Sequence, residues 1–320
     1  MNTRLALICI LAIGSGNSAM AGGGVGVLGD SYSDEYQFYS PHRNTARGWV
    51  EILAKTRGVN FGEFRASSWG EPRNQGFAYN WARSGATSAN MIASGQHHGL
   101  AEQVRSGEVG IAVIFVGGND FIEALHASNP KSALSGLGDR VANNVKIATD
   151  AILAASPNAK VLAATVPDVR GLPEFRDALQ KGKLSPALAA LAVSEVEIFN
   201  DTVRKLAKPG SRVAIFDFAN VSRISLALFP KAVVVAGRKV DRELSGNSAD
   251  RLFLADRRHL GTMGQGMLAK ILVDVLNKKC GAAIKPLEER EIVELADSLI
   301  AREGVAEASA PRDEVIRRVD

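Results

Sequence analysis

Four groups of residues in this 320-residue chain suit acyl transfer, and they lie far apart in sequence. In the first, Gly26-Val27-Leu28-Gly29-Asp30-Ser31-Tyr32-Ser33-Asp34, an apolar run stops abruptly in glycine, an acid and hydroxyls. A serine hydroxyl is a poor nucleophile until a base takes its proton, and a third group must hold that base in the right tautomer. Asp256-Arg257-Arg258-His259 can supply both within one turn, the carboxylate holding one ring nitrogen and the other facing Ser31. The oxyanion that develops on the attacked carbonyl needs donors fixed in place. The backbone N–H of Ser31, that of Gly85 and the side-chain amide of Asn119 would make three, each worth roughly 10²–10³ in rate. Glycine at position 85 lets the main chain approach a substrate with no side chain in the way.

The elements that must position these residues read as alternating strands and helices. Residues 25–28 predict a buried strand, Gly29 a sharp turn, and Ser31 a place at the strand's carboxyl end, where open α/β sheets bind ligands. Trp49, Ile52 and Leu53 mark one face of a helix over 48–57, stopped by Gly58. Residues 111–116 form a β-branched run that ends in Gly117-Gly118-Asn119-Asp120. Leu137, Val141, Val145, Ala148 and Ile152 recur at helical spacing, 160–165 is strand-like up to Pro167, 186–207 is helical, and 212–218 is again strand-like. Residues 252–254 read as a short strand directly before Asp256, with a closing helix over about 265–276. Residues 60–64 fit either a strand or the start of a long exposed loop reaching Gln75, and 221–250 breaks the alternation. Parallel strands need crossover connections, so this order predicts an α/β fold with a mostly parallel sheet of about five strands and helices on both faces. Ser31, Gly85, Asn119 and the Asp256–His259 pair each fall at an expected strand end.

In this order the four blocks resemble the GDSL or SGNH hydrolase family of esterases and lipases, over nearly the whole chain from residue 22 to about 280. They are Gly29-Asp30-Ser31-Tyr32 with Ser33-Asp34, the Gly85 region, Gly117-Gly118-Asn119-Asp120, and Asp256-Arg257-Arg258-His259. In that family the serine, glycine, asparagine and histidine play the roles given above. The resemblance implies a flavodoxin-like three-layer αβα sandwich and a serine esterase that works through an acyl-enzyme without metal or organic cofactor. Two positions depart from the family pattern. Tyr32 stands where the family name has leucine, and Leu260 follows His259 in place of a proline, with Thr262, Gly264 and Gly266 keeping a similar turn. Lipids, acetylated polysaccharides and thioesters all remain open as substrates. The absence of a long apolar lid points to small esters, acetyl groups on carbohydrate among them. Acyl transfer to a sugar hydroxyl is a further possibility, because water and that hydroxyl compete for one acyl-enzyme.

Other features read as structural. Asp30 and Asp34, beside the nucleophile, brace its turn, and Asp120 is structural as well. Gly24-Val25-Gly26-Val27-Leu28-Gly29 matches a dinucleotide-binding spacing, but such glycines must follow a strand and open a helix, whereas these lie within the strand itself. His97 and His98 are adjacent, so their side chains should point apart, and no acid or cysteine cluster accompanies them; a surface or loop location is expected, not a metal site. Tyr32, Tyr36, Phe38, Tyr39 and Trp69 fit ordinary packing equally with an acyl pocket or a platform for a sugar ring.

Composition narrows the class. With 46% hydrophobic and 22% charged residues the chain is ordinary for a globular protein. A net charge of +4 without a basic, aromatic-laced cluster argues against nucleic-acid binding. Residues 1–21 have the outline of a signal peptide, with Arg4, a short apolar run and Ala19-Met20-Ala21, which predicts a secreted or periplasmic protein with no membrane span. Cys9 would leave with that segment, so Cys280 is left without an internal disulfide partner and stability must come from a core of domain size. Residues 22–280 would form the hydrolase domain. Residues 281–320 would be a helical extension carrying Ile292, Leu295, Ala296 and Leu299 as an apolar stripe, frayed beyond Gly304. The rival reading is a non-catalytic exported binding module, against which stands the completeness of the four blocks.

Overall fold

The computed structural model describes residues 23–38, 45–65 and 76–309, with the side chains of Phe38 and of 303–309 excepted. The expected signal peptide, Tyr39, Trp69, residues 66–75 of the expected loop and the chain beyond 309 lie outside the described residues. The chain runs β1 (Gly24–Gly29), α1 (Trp49–Arg57), β2 (Phe64–Arg65), β3 (Gly76–Phe77), α2 (Ser88–Ala93), α3 (Gln96–Arg105), β4 (Val109–Phe115), α4 (Gly118–His126), α5 (Pro130–Leu134) and α6 (Leu137–Ala155). It continues through β5 (Lys160–Ala164), α7 (Pro173–Gln180), α8 (Pro186–Arg204), β6 (Val213–Phe216), α9 (Phe218–Leu228), β7 (Ala232–Val235), β8 (Arg238–Asp241), α10 (Thr262–Val275) and α11 (Glu289–Ser309).

The central sheet is parallel throughout, in the order β1-β4-β5-β6. Gly29 and Phe115 are paired in register, so β1 and β4 end side by side and the residues that follow them must meet. On the free edge of β1, Asn80 makes a single parallel bridge to Val27. That bridge takes the place of the fifth strand expected from the sequence. With it the order is that of a flavodoxin-like doubly wound sheet, whose ligand crevice lies at the carboxyl ends of the strands where the winding reverses, here β1 and β4. Residues 252–254, also expected as a strand, form only isolated bridges from Phe253 to Ser245 and to Leu260. Of residues 60–64 only Phe64 enters a strand, in an antiparallel pair with β3 outside the main sheet.

Alternation along the strands sorts the core into two layers. Val25, Val27, Val113 and Leu162 face α1, α10 and α11, while Leu28, Ala112, Ile114 and Val161 face α3, α6 and α8. Two strand glycines are explained by this packing. A Cβ on Gly26 would come within 2.3 Å of Leu100 Cδ1 on α3, so the glycine lets that helix lie close to the sheet. A Cβ on Gly29 would meet the Phe115 carbonyl oxygen at 2.9 Å. Gly29 has no positive φ, so close packing against β4, and not the sharp turn expected, is its reason for being glycine. Ile292, Leu295, Ala296 and Leu299 of α11 enter the same core cluster as α1 and α10. Cys280 is buried and unpaired, and burial pushes its thiol up to about 11. Among the described residues no helix is long and apolar enough to cross a membrane.

Candidate active site

Ser31 lies in the turn after β1, and Asp30 fixes that turn from within. Its carboxylate accepts the Tyr32 N–H at 3.0 Å, while its carbonyl accepts the N–H groups of Ser33 and Asp34. His259 arrives from a tight loop that closes where Leu254 N–H donates to the His259 carbonyl at 2.8 Å, with Arg257 in the left-handed region at φ 63°. Ser31 Oγ and His259 Nε2 are 2.6 Å apart. His259 Nδ1 is hydrogen-bonded to Asp256 Oδ2, and Asp256 Oδ1 accepts the N–H groups of both Arg258 and His259 at 2.9 Å. The carboxylate therefore grips the imidazole and its backbone together. Tyr32 ties the two segments, its hydroxyl donating to the Arg258 carbonyl at 2.9 Å.

Gly85 and Asn119 follow the two segments that neighbour β1. The loop carrying Gly85 runs along the edge of β1, where Arg83 N–H donates to the Gly29 carbonyl at 3.2 Å. Asp34 holds this loop through the Ser84 N–H at 2.7 Å. Gly85 has φ 82°, and a Cβ there would meet nothing within 4 Å, so glycine is favoured by backbone conformation and leaves the space above it open. The block thus sits in a loop beside β1, not at the strand end expected. Asn119 starts α4 just beyond β4, and its amide donates to the Ala86 carbonyl at 2.9 Å, joining the two segments. Asp120 accepts both the N–H and the hydroxyl of Ser88, at 2.8 and 2.7 Å, anchoring α2.

Burial pushes the Asp256 carboxyl up, but the hydrogen bond and charge of His259 and the two backbone N–H groups outweigh it and hold the group at about 2. That contribution to stability is present above the ordinary carboxylate range and is lost as pH falls toward 2. Asp30 behaves in the opposite way. Burial raises it to about 7 against the pull of the Tyr32 N–H and the charge of His259. Between about 4 and 7 the folded chain holds a proton that the unfolded chain has released, so this contribution is complete at acid pH and is lost as pH rises through 7. Replacing Asp30 by Asn is expected to flatten the loss of stability between pH 5 and pH 8 by up to about 3 kcal/mol. Urea denaturation at the two pH values checks this, and an unchanged pH slope would contradict it.

A model of the GDSL-like lipase/acylhydrolase family matches residues 25–272, which spans all four blocks. The chain belongs to that family. As a GDSL-like lipase/acylhydrolase it is a carboxylic ester hydrolase by class. Solved structures with a similar fold include a lipase from a goat rumen metagenome, at 14% identity and TM-score 0.48, covering 79% of this chain and 97% of that one. An extracellular lipase from Streptomyces rimosus is similar at 19% identity and TM-score 0.45, covering 80% and 99%. A family 3 carbohydrate esterase from Clostridium thermocellum is similar at 14% identity and TM-score 0.42, covering 80% and 95%. No curated protein matches the sequence.

In this GDSL-like hydrolase a cavity of about 420 Å³ opens from Ser31 and His259 and runs between α4, α7 and α8. Its roof is α7, which the sequence reading passed over. Glu174 of α7 forms a two-point ion pair with Arg258, at 2.5 and 2.6 Å, and Asp177 pairs with Arg257 at 3.1 Å. The helix is thus tethered to the loop that carries His259. Pro173 in its first turn, with Leu172, Phe175 and Ala178 at helical spacing, is the signal that would have revealed it. Of the aromatic residues singled out beside the nucleophile, Tyr32 lines this cavity, while Tyr36 is buried with its hydroxyl accepting from Gln265 Nε2 at 2.9 Å. His97 and His98 do not point apart: their ring centroids are 3.9 Å from each other, and His97 is buried. Among the described residues no cluster of three or more His, Cys, Asp or Glu side chains could hold a metal ion.

Proposed function

We propose that this chain is an exported serine esterase that hydrolyses carboxylic esters through an acyl-enzyme, with Ser31 as nucleophile, His259 as base and acid, and Asp256 orienting it. The observation that carries the reading is the continuous contact from Asp256 through His259 to Ser31 Oγ. Ser31 Oγ attacks the acyl carbonyl while its proton passes to His259 Nε2, leaving the negative charge on the carbonyl oxygen. The N–H groups of Ser31 and Gly85 and the Asn119 amide receive that oxyanion. One N–H of the amide is held by the Ala86 carbonyl and the other remains for substrate. Collapse expels the alcohol, which takes the proton from His259. Water then adds to the acyl-enzyme, giving its proton to the same nitrogen, and the carboxylic acid leaves as Ser31 regains its proton. Asp256, held at about 2, stays ionised throughout and needs only to fix the tautomer.

Short-chain esters and carbohydrate acetates fall within this chemistry. Export rests on the residue pattern at 1–21, and a secreted or periplasmic product beginning near Gly22 by intact mass would support it, whereas a chain retained whole in the cytoplasm would not. The esterase reading is tested on p-nitrophenyl esters: the chain should hydrolyse them, and a fluorophosphonate should abolish that activity as one adduct forms per chain. Folded protein that neither hydrolyses nor takes up the probe would be a binding module.

A further inference from the structure

The cavity beside the triad is polar at the triad and carries His126, Lys181 and Lys183 elsewhere on its rim, with an apolar stretch between α4, α7 and α8. Ser31, Asn119 and His259 line it where the acyl carbonyl must sit. Away from them the walls are Phe121, Ile122 and Leu125 of α4, Phe175 of α7, and Ala192 and Val196 of α8. Ala192 and Val196 are 2% and 3% exposed, so this part of the wall belongs to the core, while the exposed Lys181 and Lys183 line the side nearer solvent. A carbohydrate site would need donors and acceptors along these walls to replace the water lost by sugar hydroxyls, and an aliphatic chain needs none. Size points the same way. If each carbon takes the ~30 Å³ of a water in the liquid, an acetyl group leaves most of the 420 Å³ empty.

We propose that this cavity is an acyl-chain pocket roofed by α7 and floored by Ala192 and Val196, and that the enzyme selects esters of aliphatic acids longer than acetate. The assignment rests on the serine-esterase reading and replaces the expectation of small esters. That expectation came from the lack of a long apolar lid in the sequence. The lid here is the single short helix α7, which turns Phe175 and Ala178 inward and carries Glu174 and Asp177 in its ion pairs with Arg258 and Arg257.

Two measurements on the full chain separate this pocket from the hydrolytic reading. Binding of acetate, butyrate, hexanoate and octanoate by calorimetry requires no turnover, and affinity should rise about fourfold per added methylene until the pocket is full. The ratio of kcat/KM on p-nitrophenyl octanoate to that on the acetate should rise with the same trend. Ala192→Leu, which places a larger side chain at the floor, should lower both the octanoate affinity and the octanoate-to-acetate ratio by tenfold or more. Phe175→Ser on the half-buried roof should lower them too, and keeps the test open if the core variant fails to fold. Affinity that does not grow with chain length, or a gain that both folded variants leave intact, overturns the proposal. Chain-length-dependent binding without Ser31-dependent hydrolysis would uphold the pocket and remove the esterase reading.

Discussion

Replacing Ser31 by Ala is expected to lower kcat on p-nitrophenyl esters by about 10⁶, because in a triad enzyme the nucleophile, base and orienting acid act as a unit. Without Oγ, His259 Nε2 has no proton to take and no acyl-enzyme can form. The proposed oxyanion donors at Gly85 and Asn119 should stay in place, since Asp34, the Gly29 carbonyl and the Ala86 carbonyl hold their segments independently of the hydroxyl. A residual 10³–10⁴ over the uncatalysed rate should therefore survive. Substrate affinity should change little, because the hydroxyl is a small part of the cavity wall. Single-turnover kinetics on the purified variant check the size of the loss. Retention of more than about a hundredth of the wild-type rate would remove Ser31 from the chemistry.

Asp256→Asn should be the second largest effect, a loss of about 10⁴ in kcat. The carboxylate uses one oxygen for two backbone N–H groups and the other for His259 Nδ1. An asparagine would keep its carbonyl oxygen on the backbone donors, which turns its NH₂ toward Nδ1. The imidazole then accepts at Nδ1 and carries its proton on Nε2, the tautomer that cannot receive the proton of Ser31. The fold should survive, since the backbone contacts are kept. A kcat/KM profile against pH distinguishes this from a structural defect: the variant should stay depressed through neutral pH while its circular dichroism spectrum stays that of the folded protein, even though the stability carried by the carboxylate is lost. A loss below tenfold would mean that His259 is held by something else.

The central strands were legible because burial on both faces demands continuous β-branched runs, as in β4, and the long helices because Val141, Val145 and Ile152 repeat on one side of α6. The expected strands before Gly85 and Asp256 were not, for a reason of pairing. Residues 76–82 and 252–254 have strand composition, but a strand exists only where a partner lies in register, and beyond the small β2–β3 pair these segments find isolated bridges at Asn80 and Phe253. Gly29 shows a second limit, since its neighbour across space is the Phe115 carbonyl, 86 residues away in the chain. Ser31, Asp256 and His259 could be picked out because their residue types are complementary, and the structure brings them into contact. The cavity did not, since α4, α7 and α8 each supply part of its wall and no single stretch of sequence looks like a pocket.

The most direct test of the account is the site of covalent modification. Folded wild-type protein treated with a fluorophosphonate, digested and mapped by mass spectrometry should carry one phosphonyl group, on Ser31, and His259→Ala should slow that labelling by orders of magnitude while leaving the fold intact. An adduct on any other residue, or none on Ser31 in folded protein, would contradict the assignment of Ser31 as the nucleophile.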